Sequence, residues 1–372
     1  MVKPMDSRVP SVLFRVDASS TIGSGHVMRC LALATALGAA GAEVSFICRD
    51  LPGNYAGWLR AQGHQVCLLP APSRPLPPGE DEYLYWLGVP MEIEIGQCKA
   101  LLQAKPAPDW IVVDHYALDS RWETAVRPDA SFLMVIDDMA NRPHDCQLLM
   151  DQNYYHQPEQ RYSAICKCSE FLLGPAYALL RPEFHAEHRR AKCRTGEVRS
   201  LLVFMGGSDY GNVTSSILRT LLSLELHSLE IEVIVGKANP HLTEVARLCE
   251  QAGARMLTQV NDMATRMARA DLSIGATGVA TWERAAVGLP TLAVSIADNQ
   301  RDIARYADQL GILRWLGDAE EVTEEAWLAA LRWACSSPQA LQSQSDRGMS
   351  LVDGLGTAKV VEKMIGNRGR LH

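Results

Sequence analysis

The sequence holds no apolar run approaching the ~20 residues that a membrane-spanning helix needs, and Met1 to Pro10 carry no hydrophobic signal core. Both absences lead to the expectation of a cytoplasmic protein with no membrane partner. Basic charge is not in excess either: 36 Lys and Arg stand against 43 Asp and Glu, a net charge of −7. A general nucleic-acid binder would show a basic stripe, so that class is set aside. Zinc-type cysteine spacing is missing. The ten cysteines (Cys30, Cys48, Cys67, Cys98, Cys146, Cys166, Cys168, Cys193, Cys249 and Cys335) are scattered, several of them inside apolar strands or helices. The close pair Cys166-Lys167-Cys168 has one intervening residue and no matching second pair, so neither a metal site nor a disulfide framework is expected. Two phosphate-binding fingerprints are absent as well. After Gly23-Ser24-Gly25, position 28 is Met, which breaks G-x-G-x-x-G, and the Gly-Lys-Ser/Thr ending of a P-loop does not follow.

What is present is a chain of 372 residues, 47% hydrophobic, long enough for two domains. Short apolar runs alternate with segments of helical length, the pattern of a parallel sheet flanked by helices and hence of an α/β fold. In the first half the strand candidates are Val12–Val16, Val44–Cys48, Val66–Leu69, Trp110–Val113, Phe132–Ile136 and Leu148–Met150. Pro70 to Pro78 reads as a loop within a domain. From Gln152 to Glu197 the pattern loosens, and the basic cluster His188-Arg189-Arg190-Ala191-Lys192 reads as solvated linker helix or coil. Alternation then restarts with Leu201–Met205, Ile231–Val235, Met256–Leu257, Leu272–Ile274 and Thr291–Ile296. The expected domains are 1–180, 195–350 and a C-terminal helical piece, 351–372, that packs back on the first. From Thr323 the chain is expected to be helical, with Trp327, Leu328, Leu331 and Cys335 on one face, and Thr357 is expected to cap a final helix.

Polar chemistry gathers just after the apolar runs. Val12–Val16 leads into Gly23-Ser24-Gly25 and then a helix on which Val27, Leu31 and Ala34 recur at helical spacing. Free amides and the helix dipole at such a turn favour an anion, and His26 sits at the same mouth. The glycines can equally form no more than a tight turn, and a histidine in a first helical turn can be structural. In the second half Gly206-Gly207-Ser208-Asp209 and Gly275-Ala276-Thr277-Gly278 occupy matching positions, the latter with Thr277 as a candidate cap. Glu283 suits a helix start or the vicinal hydroxyls of a ribose. Ala297-Asp298-Asn299-Gln300 ends the last strand. Asp114-His115-Tyr116 follows a strand of the first half, and Asp137-Asp138 reads better as helix capping or a partner of Arg142 than as a metal cage.

Taken in order, Arg15 to Ser19, Ile22 to Arg29, Asp114-His115-Tyr116, Thr281-Trp282-Glu283-Arg284 and Ala297 to Gln300 resemble the UDP-2,4-diacetamido-2,4,6-trideoxy-β-L-altropyranose hydrolases of pseudaminic acid biosynthesis, across roughly residues 10 to 310. That family is similar in turn to the lipid II-forming N-acetylglucosaminyltransferase. The resemblance implies a GT-B-like fold, two Rossmann-like domains facing across a cleft. It implies that His26 is catalytic, that Tyr116 lines the sugar site, and that Gly275 to Glu283 with Asn299 and Gln300 hold the nucleotide. The chain departs from the shortest family members by extra residues at Pro70–Pro90 and beyond residue 315.

The implied reaction is hydrolysis at the anomeric C–O bond, releasing UDP and a free amino sugar with no cofactor. Histidine suits the base role because its ordinary pKa of about 6.5 leaves it mostly unprotonated at neutral pH. His26 is expected to activate water for attack with inversion, with Tyr116 beside it and Asp17 holding the imidazole or a sugar hydroxyl. Gly23, Ser24, Gly25, Arg29, Gly206, Gly207, Ser208, Gly275, Ala276, Thr277, Gly278, Thr281, Glu283, Asn299 and Gln300 form the expected substrate-binding set. The expected partner is the small-molecule UDP-sugar, acting on a monomer. Two rivals use the same nucleotide site: a glycosyltransferase, whose acceptor hydroxyl replaces water, and a non-catalytic sugar-nucleotide sensor, for which His26 would be dispensable.

Overall fold

Trp110–Asp114 is buried at every position, as a strand within a parallel sheet covered on both faces must be. In the computed structural model, which describes residues 9–73, 83–191, 194–207, 209–224, 229–237 and 239–366, such strands build two sheets. Lys192, Cys193, Ser208, residues 1–8 and residues 74–82 of the proline-rich segment lie outside the described residues. The chain divides into two compact units. The first comprises the described residues within Met1–Gln152, His156–Leu179 and Thr357–His372, and the second comprises those within Asn153–Tyr155 and Leu180–Gly356.

In the first unit the strands are β1 (Ser11–Val16), β2 (Glu43–Arg49), β3 (Gln65–Leu69), β4 (Trp110–Asp114), β5 (Phe132–Ile136), β6 (His144–Asp145), β7 (Leu148–Asp151), β8 (Cys166–Lys167) and β9 (Glu170–Leu173). Seven form one sheet in the order β3-β2-β1-β4-β5-β7-β9, and β6 pairs with β8. Every pair in the large sheet is parallel. The chain runs outward from β1 to β3 and then returns to lay β4 on the other side of β1. A crevice therefore opens at the carboxyl ends of β1 and β4, where ligands bind in such sheets.

Strand pleating sorts the side chains into two layers. Phe14, Val16, Trp110, Val112 and Met134 meet Cys30, Leu33 and Leu37 of the helix Gly25–Ala39 on one face. Ile111, Val113, Leu133 and Leu149 meet Cys98, Leu102 and Trp122 on the other. The last helical segment, Gly356–Val361 with the turn Glu362–Gly366, closes the first of these layers through Val360 and Met364. Trp110 Nε1 donates to Met364 O at 3.0 Å.

The second unit contains β10 (Ser200–Phe204), β11 (Glu230–Val235), β12 (Arg255–Thr258), β13 (Leu272–Ala276), β14 (Thr291–Ser295) and β15 (Arg314–Asp318). They form a parallel sheet in the order β12-β11-β10-β13-β14-β15. Its strand order reverses between β10 and β13, the switch point at which ligands bind in sheets of this kind. Thr323 caps the helix Glu324–Ser336, accepting from Ala326 N. Its buried face is Trp327, Ala330, Leu331 and Ala334, with Cys335 exposed, one step off the expected stripe.

Two edge strands, β9 and β15, depart from the reading of the sequence. Glu170–Leu173 lies within Gln152–Glu197, where the alternation loosens and no strand is expected. A strand of four residues with one charged end carries little periodic signal, and its pairing with β7 supplies the rest. Among the described residues no helix is long and apolar enough to cross a membrane.

The C-terminal segment is thus part of the first core. Met364→Ala should lower the unfolding free energy by about 2–5 kcal/mol through the cavity left beside Trp110, read as a shifted urea midpoint. A midpoint matching the wild type would show that the segment contributes nothing to that core.

Candidate active site

The loop after β1 is held by its own short polar groups. Ser19 Oγ accepts from the amides of Thr21 and Ile22 at 3.1 and 2.9 Å, and Gly23 N donates to Ser19 O at 2.9 Å. Gly23 has φ +78°, a left-handed conformation that favours glycine. The fifteen-residue helix then starts at Gly25 with Ser24 in the cap position but making no side-chain cap. Gly25 is exposed, and a Cβ built on it would meet nothing within 4 Å. The start of a long helix therefore faces open space, its dipole unneutralised by a capping carboxylate.

His26, in the first turn, is buried but for 10% of its side chain. Its Nδ1 lies 2.6 Å from Asp114 Oδ1, at the end of β4. Asp114 is forked by Arg29, with Nε to Oδ2 at 2.6 Å and Nη2 to Oδ1 at 2.7 Å, and Cys30 Sγ donates to Oδ2 at 3.4 Å. Arg29 Nη1 donates in turn to Asp138 Oδ2 at 2.8 Å. Burial by itself would push the Asp114 carboxyl up. The Arg29 guanidinium and then His26 outweigh burial and hold it well below the usual carboxylate range. An ionised carboxylate only accepts, so Nδ1 carries a proton toward Asp114. Nε2 has no hydrogen-bond partner among the described residues.

Aromatic rings wall this imidazole. Tyr116 meets it edge-on at 4.6 Å and stacks on Trp86 at 5.5 Å, while Tyr83 packs against both at 5.0 and 4.9 Å. Trp86 itself stands 6.1 Å from His26. Tyr83 and Trp86 come from the Pro70–Pro90 stretch by which the chain exceeds the shortest members of the resembling family.

Asp17 does not hold His26. Its carboxylate accepts from Arg15 Nη1 and Nη2 at 2.6 and 2.8 Å and from Arg49 N at 2.6 Å, and His115 Nε2 lies 3.3 Å away. Arg15 Nε reaches Glu94 Oε1 at 2.7 Å, and Arg49 Nη2 donates to Glu94 Oε2. The reason is the pleat. Counting by twos from Phe14 and Val16 puts Asp17 on the face opposite the helix Gly25–Ala39, whereas Asp114 shares the face of Val112 and Trp110, which that helix covers. Parity along β1 is the signal that could have found this. Arg29, expected to touch substrate, is likewise engaged by Asp114 and Asp138. Asp137 pairs with Arg142 at 2.7 Å.

In the second unit Gly206 takes φ +93° after β10. The helix that follows, Val213–Leu222, does not offer its first amides to a ligand. Asp209 accepts from Val213 N at 2.9 Å and Thr214 N at 3.0 Å. After β13, Gly278 occupies the cap position of Val279–Ala286 with φ +125°. Thr281 Oγ1 accepts from Gly278 N at 3.2 Å. Thr277 does not cap that helix: its amide donates to Val294 O at 3.0 Å and its hydroxyl to Gln300 O at 3.3 Å. Gln300 Oε1 accepts from Ile296 N at 3.1 Å, tying the ends of β13 and β14 together. Asn299 is half-buried beside it. Glu283 Oε1 lies 3.7 Å from Arg181. Burial pushes the Glu283 carboxyl up, against the pull of Arg181 and Arg284.

Asp17, Glu94, Asp114 and Asp137 are all held below the usual carboxylate range, burial being outweighed by cationic partners. His115 is lowered, mainly by burial. Unfolded carboxylates take up protons near pH 4, and unfolded His115 near pH 6.5, where the folded groups do not. Thermal stability should therefore be fully present above about pH 6.5, decline slightly below it, and fall steeply below about pH 4. Asp114→Asn should cost about 3–5 kcal/mol at pH 7 by removing the buried carboxylate that forks Arg29, leaving Asp138 as its one remaining carboxylate among the described residues. That variant should also flatten the loss between pH 5 and 3. Parallel melting curves against pH for the two proteins would contradict an ionised, paired Asp114.

No family model matches the chain. By sequence it is similar to the spore coat polysaccharide biosynthesis protein SpsG of Bacillus subtilis, 32% identical over 50% of this chain and 56% of that protein, so it spans just over half of that relative's length. It is also similar to the UDP-2,4-diacetamido-2,4,6-trideoxy-beta-L-altropyranose hydrolase of Campylobacter jejuni, 26% identical over 64% of this chain and 74% of that one. Among solved structures, Acinetobacter baumannii MurG superposes with a TM-score of 0.64 at 14% identity, covering 95% of this chain and 99% of that one. The fold is that of the GT-B glycosyltransferases, with two Rossmann-like sheets, and the relative expected from the motifs is a distant homologue by sequence.

Proposed function

We propose that the protein is a UDP-sugar hydrolase that cleaves the bond between the anomeric carbon and the diphosphate oxygen. The observation that carries this reading is the His26 imidazole at the carboxyl end of the first sheet, its Nδ1 on Asp114 at 2.6 Å and its Nε2 without a partner among the described residues. The names of the sequence relatives, a UDP-diacetamido-trideoxy-sugar hydrolase and a spore coat polysaccharide protein, favour a diacetamido-trideoxy sugar as the glycosyl group.

The chemistry asks little of the protein at the leaving group. UDP departs as a stable anion, so no strong general acid is needed. Water oxygen bonds to the anomeric carbon, the C–O electron pair leaves on the diphosphate, and the water proton passes to His26 Nε2. Asp114 stabilises the imidazolium as it forms. Attack from the face opposite the diphosphate inverts the anomeric centre. General-base help of this kind is worth ~10²–10⁴ in rate. The nucleotide is assigned to the second unit, with the diphosphate at the Gly275–Gly278 turn and the ribose at Glu283. The aromatic wall of Tyr83, Trp86 and Tyr116 suits a deoxysugar, whose methyl group and acetamido methyls are apolar.

Incubated with the UDP-diacetamido-trideoxy sugar and no acceptor, the protein should release UDP, and in H₂¹⁸O the label should enter the sugar and not the phosphate. His26→Asn should lower kcat by ~10²–10⁴ while UDP binding by calorimetry is kept. UDP release that requires an added acceptor would transfer the reading to a glycosyltransferase, and near-normal turnover without His26 would discard the mechanism. Glu283→Ala should raise KM and weaken UDP binding far more than it changes kcat; unchanged UDP affinity would reduce Glu283 to a structural carboxylate.

A further inference from the structure

Arg284 stands on the helix Val279–Ala286 and is 1% exposed. Its Nη2 donates to Ala276 O at 2.7 Å, so the guanidinium turns back under the loop that ends β13. Nε and Nη1 have no hydrogen-bond partner among the described residues. Among the described residues no carboxylate lies within 4.0 Å of the guanidinium; Glu283, the next residue, is paired with Arg181 instead. A Cβ built on Gly275 would fall 2.4 Å from Arg284 Nη1 and 2.8 Å from Phe204 O. The cation thus fills the space that any side chain at position 275 would take, where Phe204 of β10 and Gly275 of β13 pair side by side. This is the point at which the strand order of the second sheet reverses. The helix above it, Val279–Ala286, follows Gly278, whose own amide is taken by Thr281 Oγ1, while the amides of Val279 and Ala280 have no side-chain acceptor among the described residues.

A buried guanidinium with two unpartnered nitrogens, three N–H groups between them, is unfavourable unless an anion faces it. We propose that Arg284 is a positioning residue, a buried counter-charge for the diphosphate of a nucleotide bound at the Gly275–Gly278 turn. It acts through the loop it underlies: one N–H anchors Ala276 O, and the remaining positive charge adds to the helix dipole directed at the same turn. Burial lowers the Arg284 pKa to about 10, with Glu283 pulling it back up, so the group stays cationic at neutral pH. The facing charges are Glu283 and Arg181, which offset one another, and Glu183, which sits on Arg181 at 3.1 Å. Gly275 is required for the same arrangement, since a side chain there displaces the guanidinium.

The inference rests on the nucleotide reading of the second unit, and the test separates the two. Wild type, Arg284→Gln and Arg284→Lys are titrated calorimetrically with UDP and with uridine, which lacks the diphosphate. Arg284→Gln should weaken UDP binding about tenfold or more and leave uridine affinity unchanged, with Lys restoring most of the loss. Undiminished UDP affinity in the Gln variant overturns the proposal, as does a parallel loss of UDP and uridine, which marks a merely structural role. If the Gln variant does not fold, the Lys variant decides: a UDP loss under about threefold with uridine unchanged supports the charge role, and a tenfold loss overturns it. Absence of UDP binding in the wild type would overturn the nucleotide reading itself, and the proposal with it.

Discussion

Much of the first unit's chemistry depends on keeping the Asp114 carboxylate ionised where water does not reach. Such a group is stable only when its lone pairs are filled by strong donors. Arg29 supplies a two-pronged fork, Cys30 a weak third donor and His26 a fourth, while Asp138 balances the remaining charge of Arg29. Once Asp114 is an obligate acceptor, the imidazole has no choice of tautomer, and the nitrogen it turns outward is the one able to take a proton. The arrangement needs β4 to end beside β1, with Val16 paired to Asp114. It also needs the helix Gly25–Ala39 to lie over that face of the sheet. Fold and acid–base character are therefore one constraint.

A second polar network lies on the other side of the same strands. Arg15, Asp17, Glu94, Arg49 and His115 close on one another almost entirely out of solvent. Four polar side chains at strand ends, Arg15, Asp17, Arg49 and His115, would be ruinous if any one were left open. Here the helix Met91–Gln103 delivers Glu94 to complete them. His115 Nδ1 accepts from Ala117 N at 3.1 Å, so Nε2 carries the proton, 3.3 Å from Asp17 Oδ2. One histidine is locked as structure, and the other is left with a nitrogen to use.

The two units, each considered by itself, place opposite charge beneath equivalent crevices. Under the reversal of strand order in the first lies a carboxylate, which fixes the orientation of the His26 ring through Nδ1. Under the reversal in the second lies the guanidinium of Arg284, with uncapped helix amides above it, which favours an anion. The third glycine-rich turn, after β10, differs because Asp209 already occupies the first amides of its helix. Similar loops thus carry different electrostatics, and the identity of the buried charge decides which.

Local sequence was enough for most of the architecture. The alternation of apolar runs marked eleven strands of the two large sheets, since fully buried parallel strands are written as continuous hydrophobic segments. The strand-to-helix turn placed His26 at a crevice because glycine and serine before a helical repeat leave little other choice. Beyond reach were β9 and β15, short edge strands whose pairing, not composition, makes them strands. Beyond reach also was the proper partner of His26. Asp17 was the near carboxylate in the chain, and Asp114 lies 88 residues away. Which strand lies beside β1 is settled by a crossover spanning most of the unit, and which face a carboxylate occupies is settled by pleat and register together. The residues alone determined that His26 and several glycine-rich turns would sit at strand ends. Only the folded chain decided which buried charge stands behind each, because that depends on neighbours brought together by packing and not by sequence.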